Sequence, residues 1–412
     1  MFLSKSILLL FVQMTLLTFV MARTVFVHGL VVGTTVLSKN FRQQLHLSVH
    51  RNRPTFASRR SFMHSVIAVL PLSYPPQPIL AFPRIDNTNN TNTNNNNNNN
   101  NNNIDFDKNI AEVITIPLLW VPSLSAYVLK FQLGGEKFGA ILDTGSPFLT
   151  VPGYCDETKY GCYRPESSQP SGLPPTYERF DNNEGRVEWR RAPFAFLNAT
   201  GSMMGPKEMT FGVLSDALIS GPGGIFFGLV RDTDAWIRPS FLGQTNVKAF
   251  AIDLASTPKT LTLTTTSFLK DGRDYIPLVN DLNRKYGDPA VHYTARATSI
   301  TANGHRIATD GKPIYVVFDT GVTGMVVSQE LLKERYETAR KNREKSLWGS
   351  VDISFRTHGG KLVSIGAHKP VTTPFGEVPW PKFNAHLIVI GLAFLDGTKM
   401  IVDIDEHKLW IE

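Results

Sequence analysis

Two Asp-Thr-Gly triplets, Asp143-Thr144-Gly145 and Asp319-Thr320-Gly321, stand 176 residues apart in a chain of 412. Held close together, two carboxyls cannot both ionise, so one keeps a proton to donate while the other accepts one. A lone Asp-Thr-Gly reads as a turn, because Asp and Gly are favoured where a strand reverses. Two in matched settings read as the two halves of a two-carboxylate site carried by one chain.

The settings do match. Phe138, Ala140, Ile141 and Leu142 precede the first Asp, and Ile314, Tyr315, Val316, Val317 and Phe318 precede the second. Both runs predict buried strands that deliver an Asp where the strand ends. Ile225-Phe226-Phe227-Gly228 ends 85 residues after Asp143, and Ile388-Val389-Ile390-Gly391 ends 72 residues after Asp319. An internal duplication is the economical explanation. Further strands are predicted at 127–133, with a turn at Gly134-Gly135, and at 249–254, 260–263, 292–300 and 400–404. The clearest helix is predicted after Ser328, with Glu330 in its first turn and Leu331, Leu332, Arg335 and Ala339 following. The body is therefore expected to be all-β with minor helix, its strand-rich halves meeting along a cleft.

The net charge of +7 invites a nucleic-acid partner, but nine of the 42 Lys and Arg fall in residues 1–85, where there is no Asp or Glu. The remainder is slightly acidic, so no nucleic-acid partner is expected for the body. The basic segment reads as targeting sequence. Lys5 and an apolar stretch from Ile7 to Met21 precede a small-residue cleavage site at Ala22, which gives a signal peptide over 1–22 that is too short for a comfortable membrane span. An acid-poor, transit-peptide-like segment covers 23–57. A twin-arginine-type segment over 58–83 carries Arg59-Arg60 before a moderately apolar stretch, and Pro71, Pro75, Pro76 and Pro78 argue against a membrane helix there. The order resembles the leaders of thylakoid-lumen proteins in algae with secondary plastids. The competing reading is a secreted or vacuolar protein with a pro-segment, and Arg59-Arg60 is then an ordinary basic pair. Residues 84–110 form a linker whose 87–103 stretch holds 14 Asn and three Thr, with no apolar area to offset backbone ordering.

Residues 111–412 resemble the pepsin family of single-chain, bilobal aspartic proteases. The resemblance rests on the two Asp-Thr-Gly triplets and on the hydrophobic-hydrophobic-Gly signature that follows each, in the family's order. It implies an N-terminal lobe over 111–270, a C-terminal lobe over 271–412, and a cleft between them that binds extended peptides. Asp143 and Asp319 would jointly activate water against a peptide carbonyl, sharing one proton as the carboxyl pairs of this family are known to do. The sequence leaves open which one holds it, because the titration belongs to the pair. The resemblance further implies that Thr144 and Thr320 bond across the lobe interface and that Gly145 and Gly321 present amides to the carboxylates. Ser146 would support the outer oxygen of Asp143, and Gly228 and Gly391 would pack beneath the loops. No cofactor and no metal is implied, and a monomer acting on peptide or protein substrates is expected. A catalytically weak or inactive binding protein on the same fold is the alternative.

Two departures bear on that alternative. Val322 stands where Ser146 stands in the first motif, so Asp319 lacks a supporting hydroxyl unless Thr323 replaces it. One fewer bond to the ionised form raises the lower apparent pKa of the pair, which places activity nearer neutral pH than in gastric-type members. Thr150 occupies the place where animal pepsins carry a Trp that braces the flap tyrosine. Tyr177, before the turn-rich 181–185, is the flap candidate and Phe180 its alternative, although Tyr177 also reads as an ordinary hairpin aromatic. Cys155 and Cys162, the two cysteines of the chain, enclose six residues where pepsins place a small disulfide loop, worth on the order of 2 kcal/mol or less. The other reading is a pair of free thiols. Asn198-Ala199-Thr200 is a glycosylation sequon, Gly221-Pro222-Gly223-Gly224 lacks the Lys-Ser or Lys-Thr of a phosphate loop, and the ten histidines show no ligand spacing.

Overall fold

The computed structural model describes residues 113–153, 160–180, 183–197, 203–214, 225–232, 239–268, 272–288, 290–342, 346–375, 380 and 382–412, all within one unit of the chain. The leader segments, the Asn-rich linker, Cys155, the sequon, the 221–224 glycine run and the expected boundary at 270/271 lie outside the described residues. The expected β-rich body is present. Its first strand is Val113–Pro117, and the predicted strands appear as Ala126–Leu133, Ala249–Asp253, Thr260–Thr264, Thr294–Ala302, Ile314–Phe318 and Lys399–Asp403. Gly134 and Gly135 turn the first hairpin with positive φ, 57° and 90°, which glycine adopts without a Cβ penalty.

The strand before each Asp is built into the same local arrangement. Glu136–Asp143 pairs in parallel with Phe226–Gly228, with Gly228 opposite Asp143. On the other side of that short strand, Leu149 bridges Phe227 in antiparallel sense. In the second half Ile314–Phe318 pairs in parallel with His386–Ile390, whose other edge takes Met325–Ser328 in antiparallel sense. Each Asp loop thus arches over the end of a short apolar strand and returns along its far side. This is the structural counterpart of the duplicated motif.

Among the described residues the strands form four sheets. A nine-stranded sheet holds the first Asp strand and an eight-stranded sheet the second. A six-stranded sheet draws on both: Ala249–Asp253 pairs with Lys399–Asp403 from Ala249 opposite Asp403 to Asp253 opposite Lys399. Strand alternation then decides where the side chains go. All of Ile314–Phe318 is buried, but Ile314, Val316 and Phe318 join the main core. Tyr315 and Val317 join a second apolar cluster with Leu282, Val322, Phe375 and Trp380. His386–Ile390 divides likewise, giving Ile388 and Ile390 to the main core and Leu387 and Val389 to the second cluster. One step beyond the strand, Asp319 is in phase with Tyr315 and Val317 and so belongs to the side of the second cluster.

Four short helices accompany the sheets among the described residues, and none is long and apolar enough to cross a membrane. The helix predicted after Ser328 is present but divided into Gln329–Leu332, a 3₁₀ turn Lys333–Arg335, and Tyr336–Lys341. Two features accompany the division. The Ser328 hydroxyl accepts the Leu387 amide at 3.2 Å instead of capping the helix, and Lys333 takes a positive φ of 46°, outside helical geometry. Leu331, Leu332 and Ala339 face the core.

Asp281 opens the helix Asp281–Tyr286 and fastens it to the sheet. Its Oδ2 accepts from Tyr315 at 2.6 Å and from Lys285 at 3.0 Å, and the Arg296 guanidinium donates to the same oxygen. Burial alone raises its pKa, but the bonds from Tyr315, Arg296 and Lys285 outweigh that and bring it from 3.8 down to about 2. Because the folded value is depressed, the stabilisation is complete above about pH 4 and disappears as pH falls through about 2. Asp281→Asn is therefore expected to lower the unfolding free energy by about 2 kcal/mol at pH 7 in denaturant titrations, with the deficit shrinking toward pH 2. An equal deficit at both pH values would contradict this assignment.

Candidate active site

Asp143 and Asp319 meet. Both are buried, 0% and 2% exposed, and they lie close enough for each carboxyl to act on the pKa of the other. The loops that carry them are locked by their threonines. Thr144 Oγ1 donates to the Phe318 carbonyl at 2.9 Å and accepts the Thr320 amide at 2.9 Å. Thr320 Oγ1 donates to the Leu142 carbonyl at 2.8 Å and accepts the Thr144 amide at 3.2 Å. Each hydroxyl thus satisfies one buried donor and one buried acceptor of the opposite loop, groups that would be costly to leave unpaired.

The glycines set the distance of approach. A Cβ on Gly145 would lie 2.2 Å from Asp319 Oδ2 and 2.3 Å from its Cγ, so the second carboxyl sits against the backbone of the first loop. Beneath the loops, a Cβ on Gly228 would meet the Ser146 carbonyl at 2.4 Å and one on Gly391 the Val322 carbonyl at 2.0 Å. Gly145 and Gly321 also donate their amides to the carboxylate of their own motif, each at 2.8 Å.

The two carboxyls differ in what else supports them. Ser146 Oγ donates to Asp143 Oδ2 at 2.5 Å. Val322 offers no such group, and the Thr323 hydroxyl does not substitute for it: it donates instead to the Ser125 carbonyl at 3.0 Å. Burial raises both carboxyls. For Asp143 this is opposed by hydrogen bonds from Ser146, Asp319 and Gly145 and by the charge on His292. For Asp319, burial is reinforced by the negative charge of Asp143 and by their mutual bond, and its pKa stands well above the ordinary carboxylate value. The arrangement therefore favours an ionised Asp143 and a protonated Asp319, the division of labour that an acid–base pair needs.

A cavity opens beside Asp319 and Gly145. Its walls are the second apolar cluster, including Val317, Leu387, Val389 and Trp380, and its polar lining includes Asp288 and His292. Neither of these two was identified from the sequence. The only signal would have been their spacing of four, which has no meaning at the edge of a strand and says nothing of proximity to Asp319.

Tyr177 and Phe180 do form the expected hairpin, Thr176–Phe180 pairing with Asn183–Leu197. Tyr177 stands 69% exposed and is not among the cavity residues. The buried aromatic at the base of this hairpin is Trp189, whose indole donates to Thr176 Oγ1 at 3.1 Å. Thr150 is fully buried, its hydroxyl accepting the Phe226 amide at 3.3 Å. Cys162 is described, but Cys155, its expected partner, is not. No group of His, Cys, Asp and Glu suited to a metal ion occurs among the described residues. Comparison with protein-family models and with curated proteins finds no match.

The threonine lock predicts a coupled energetic unit. Thr144→Val and Thr320→Val each orphan buried partners in the opposite loop, so each is expected to cost roughly 2–3 kcal/mol in urea unfolding. The double variant should cost at least about 1 kcal/mol less than the sum, because the second substitution removes bonds already broken. Strict additivity would show that the two hydroxyls act independently.

Proposed function

We propose that this chain is an aspartic endopeptidase with the bilobal, pepsin-like architecture that its motifs imply, hydrolysing peptide bonds with a water activated by Asp143 and Asp319. The observation that carries the reading is the pair of buried carboxyls brought together by reciprocal threonine bonds between their loops. In this scheme the Asp143 carboxylate removes a proton from water, and the resulting hydroxide adds to the peptide carbonyl. Asp319 donates its proton to the carbonyl oxygen as that oxygen becomes negative. As the C–N bond breaks, the departing amine takes the proton held by Asp143 and a hydroxyl of the tetrahedral diol returns its proton to Asp319, which restores the starting dyad.

The remaining assignments belong to the same proposal: lobes over 111–270 and 271–412, a Cys155–Cys162 bridge, a hairpin flap carrying Tyr177, and delivery to the thylakoid lumen of a plastid by the leader. The apolar wall beside Asp319 supports a preference for hydrophobic side chains next to the scissile bond. A binding protein without catalysis would need neither a shared proton nor unequal support of the two carboxyls, and both features favour the enzyme.

Cleavage of a peptide library by the body from residue 111 onward is expected, with Asp143→Asn and Asp319→Asn each lowering kcat/KM by about 10³-fold or more. Equal activity in the wild type and both variants would remove the dyad from the reaction. The pH–rate profile should be bell-shaped, rising as Asp143 ionises and falling only when Asp319, with its raised pKa, loses the proton. Activity should thus extend toward neutral pH, and an optimum below about pH 3 would contradict the assigned roles. Ser146→Ala should move the rising limb upward, since it removes a bond to the ionised form.

A further inference from the structure

The cavity beside Asp319 has a polar corner that the proposed chemistry does not use. Most of its wall is apolar, formed by Val317, Leu387, Val389, Phe375 and Trp380. Asp288 and His292 interrupt that wall, with side chains 0% and 6% exposed. Asp288 Oδ1 accepts the Ala290 amide at 2.8 Å, and Asp288 Oδ2 faces His292 Nε2 at 3.4 Å. His292 Nδ1 is left buried, with no hydrogen-bond partner among the described residues.

A buried ring nitrogen without a partner is costly, and native proteins hold few such groups. Apolar side chains at these two positions would pack against the same wall without that cost. Asp319, the other carboxyl of the lining, is committed to the reaction. The polar corner thus has hydrogen-bonding capacity to spare, and the space beside it is the cavity.

Resting on the endopeptidase reading of this site, we propose that His292, held by Asp288, is a specificity-determining residue that hydrogen-bonds the tip of a substrate side chain lying in this cavity. A peptide with its scissile carbonyl at Asp319 places the side chain next to the scissile bond against the same wall. The apolar residues select the body of that side chain, and His292 selects its end. A neutral imidazole that donates from Nε2 toward Asp288 has a lone pair at Nδ1, whereas an imidazolium has an N–H there. A hydroxyl or a carboxamide meets either form, because each both donates and accepts. A methyl group or a phenyl ring meets neither and leaves the nitrogen unpaired. The corner therefore favours tyrosine over phenylalanine and glutamine over methionine. A buried polar group discriminates against the analogue that lacks its partner more sharply than an apolar pocket registers a missing methylene.

Two measurements test this. Peptides that differ only in Tyr for Phe, or in Gln for Met, are compared with the exchanged residue on each side of the scissile bond in turn. On the side whose residue enters the cavity, kcat/KM should favour the Tyr and Gln peptides by about fivefold, the order expected of one hydrogen bond. His292→Leu should bring that ratio to about one while the Phe and Met peptides are still cut. The double variant His292→Leu/Asp288→Asn leaves no unpaired buried carboxylate and should lose the same discrimination. A packing defect would slow all peptides together and keep their ratio. Ratios near one on both sides in the wild type, or a ratio unchanged in the folded double variant, would overturn the proposal. So would a preference for Lys over Gln, which would assign the corner to the Asp288 charge.

The second measurement needs no turnover. p-Cresol and toluene, titrated into the wild-type protein and followed by the NMR methyl signals of Val317, Leu387 and Val389, should differ in affinity by about fivefold in favour of p-cresol. His292→Leu should abolish the difference. No advantage for p-cresol would overturn the proposal whether or not peptides are cut, and would leave the corner to water. An advantage that His292→Leu abolishes, in a protein that cleaves no peptide, would keep His292 as a binding residue and remove the endopeptidase reading.

Discussion

The constraint on which this site depends is the burial of two carboxyls against each other. Neither could remain in so dry a place alone and fully charged, because an isolated buried carboxylate raises its pKa until it neutralises. Together they satisfy each other with one proton. That solution works only if the two loops cannot drift apart, and the surrounding structure prevents drift at three levels. The parallel strands Phe226–Gly228 and His386–Ile390 fix the ends of the Asp strands. The two threonine hydroxyls close the gap between the loops. Gly145 removes the last side chain that would hold Asp319 away.

Much of this was legible in the sequence because it is local. An apolar run ending in Asp-Thr-Gly specifies a buried strand, a turn and a glycine in three or four residues, and the second copy supplies the partner. The amide bonds from Gly145 and Gly321 and the Ser146 hydroxyl span only two or three positions in the chain, so motif reading reaches them. What failed to show was long-range. The Thr323 hydroxyl could have served Asp319, and its partner is instead the Ser125 carbonyl, 198 residues away. His292 gives no sign in the sequence that it will stand in the cavity of Asp319. The helix after Ser328 was anticipated, but its missing cap was not, because the Ser328 hydroxyl is drawn to Leu387, 59 residues on.

The two faces of Ile314–Phe318 explain why the cavity lies on Asp319's side. A strand buried on both faces normally reads as uniform core. Here the even positions go to the main core and the odd positions to a smaller cluster closed by Leu282, Phe375 and Trp380. The first Asp strand has no such division: Phe138, Ala140, Ile141 and Leu142 all belong to the main core. The two halves therefore share the same Asp loop, but the apolar hollow is lined by Asp319 and not by Asp143.

That difference bears on the proton. Asp319 borders the hollow, lacks a serine, and receives only backbone bonds from its own motif, while Asp143 is enclosed and receives Ser146 as well as Gly145. A symmetric pair would hold its proton equally on either side and would offer neither a committed base nor a committed acid. Each departure from symmetry lowers the free energy of the same microstate, with the charge on Asp143 and the proton on Asp319. Val322 is thus consistent with function rather than decay of the motif. A serine there would stabilise a negative charge on Asp319, the group that the proposed chemistry needs protonated, and would work against the asymmetry that the rest of the site sets up.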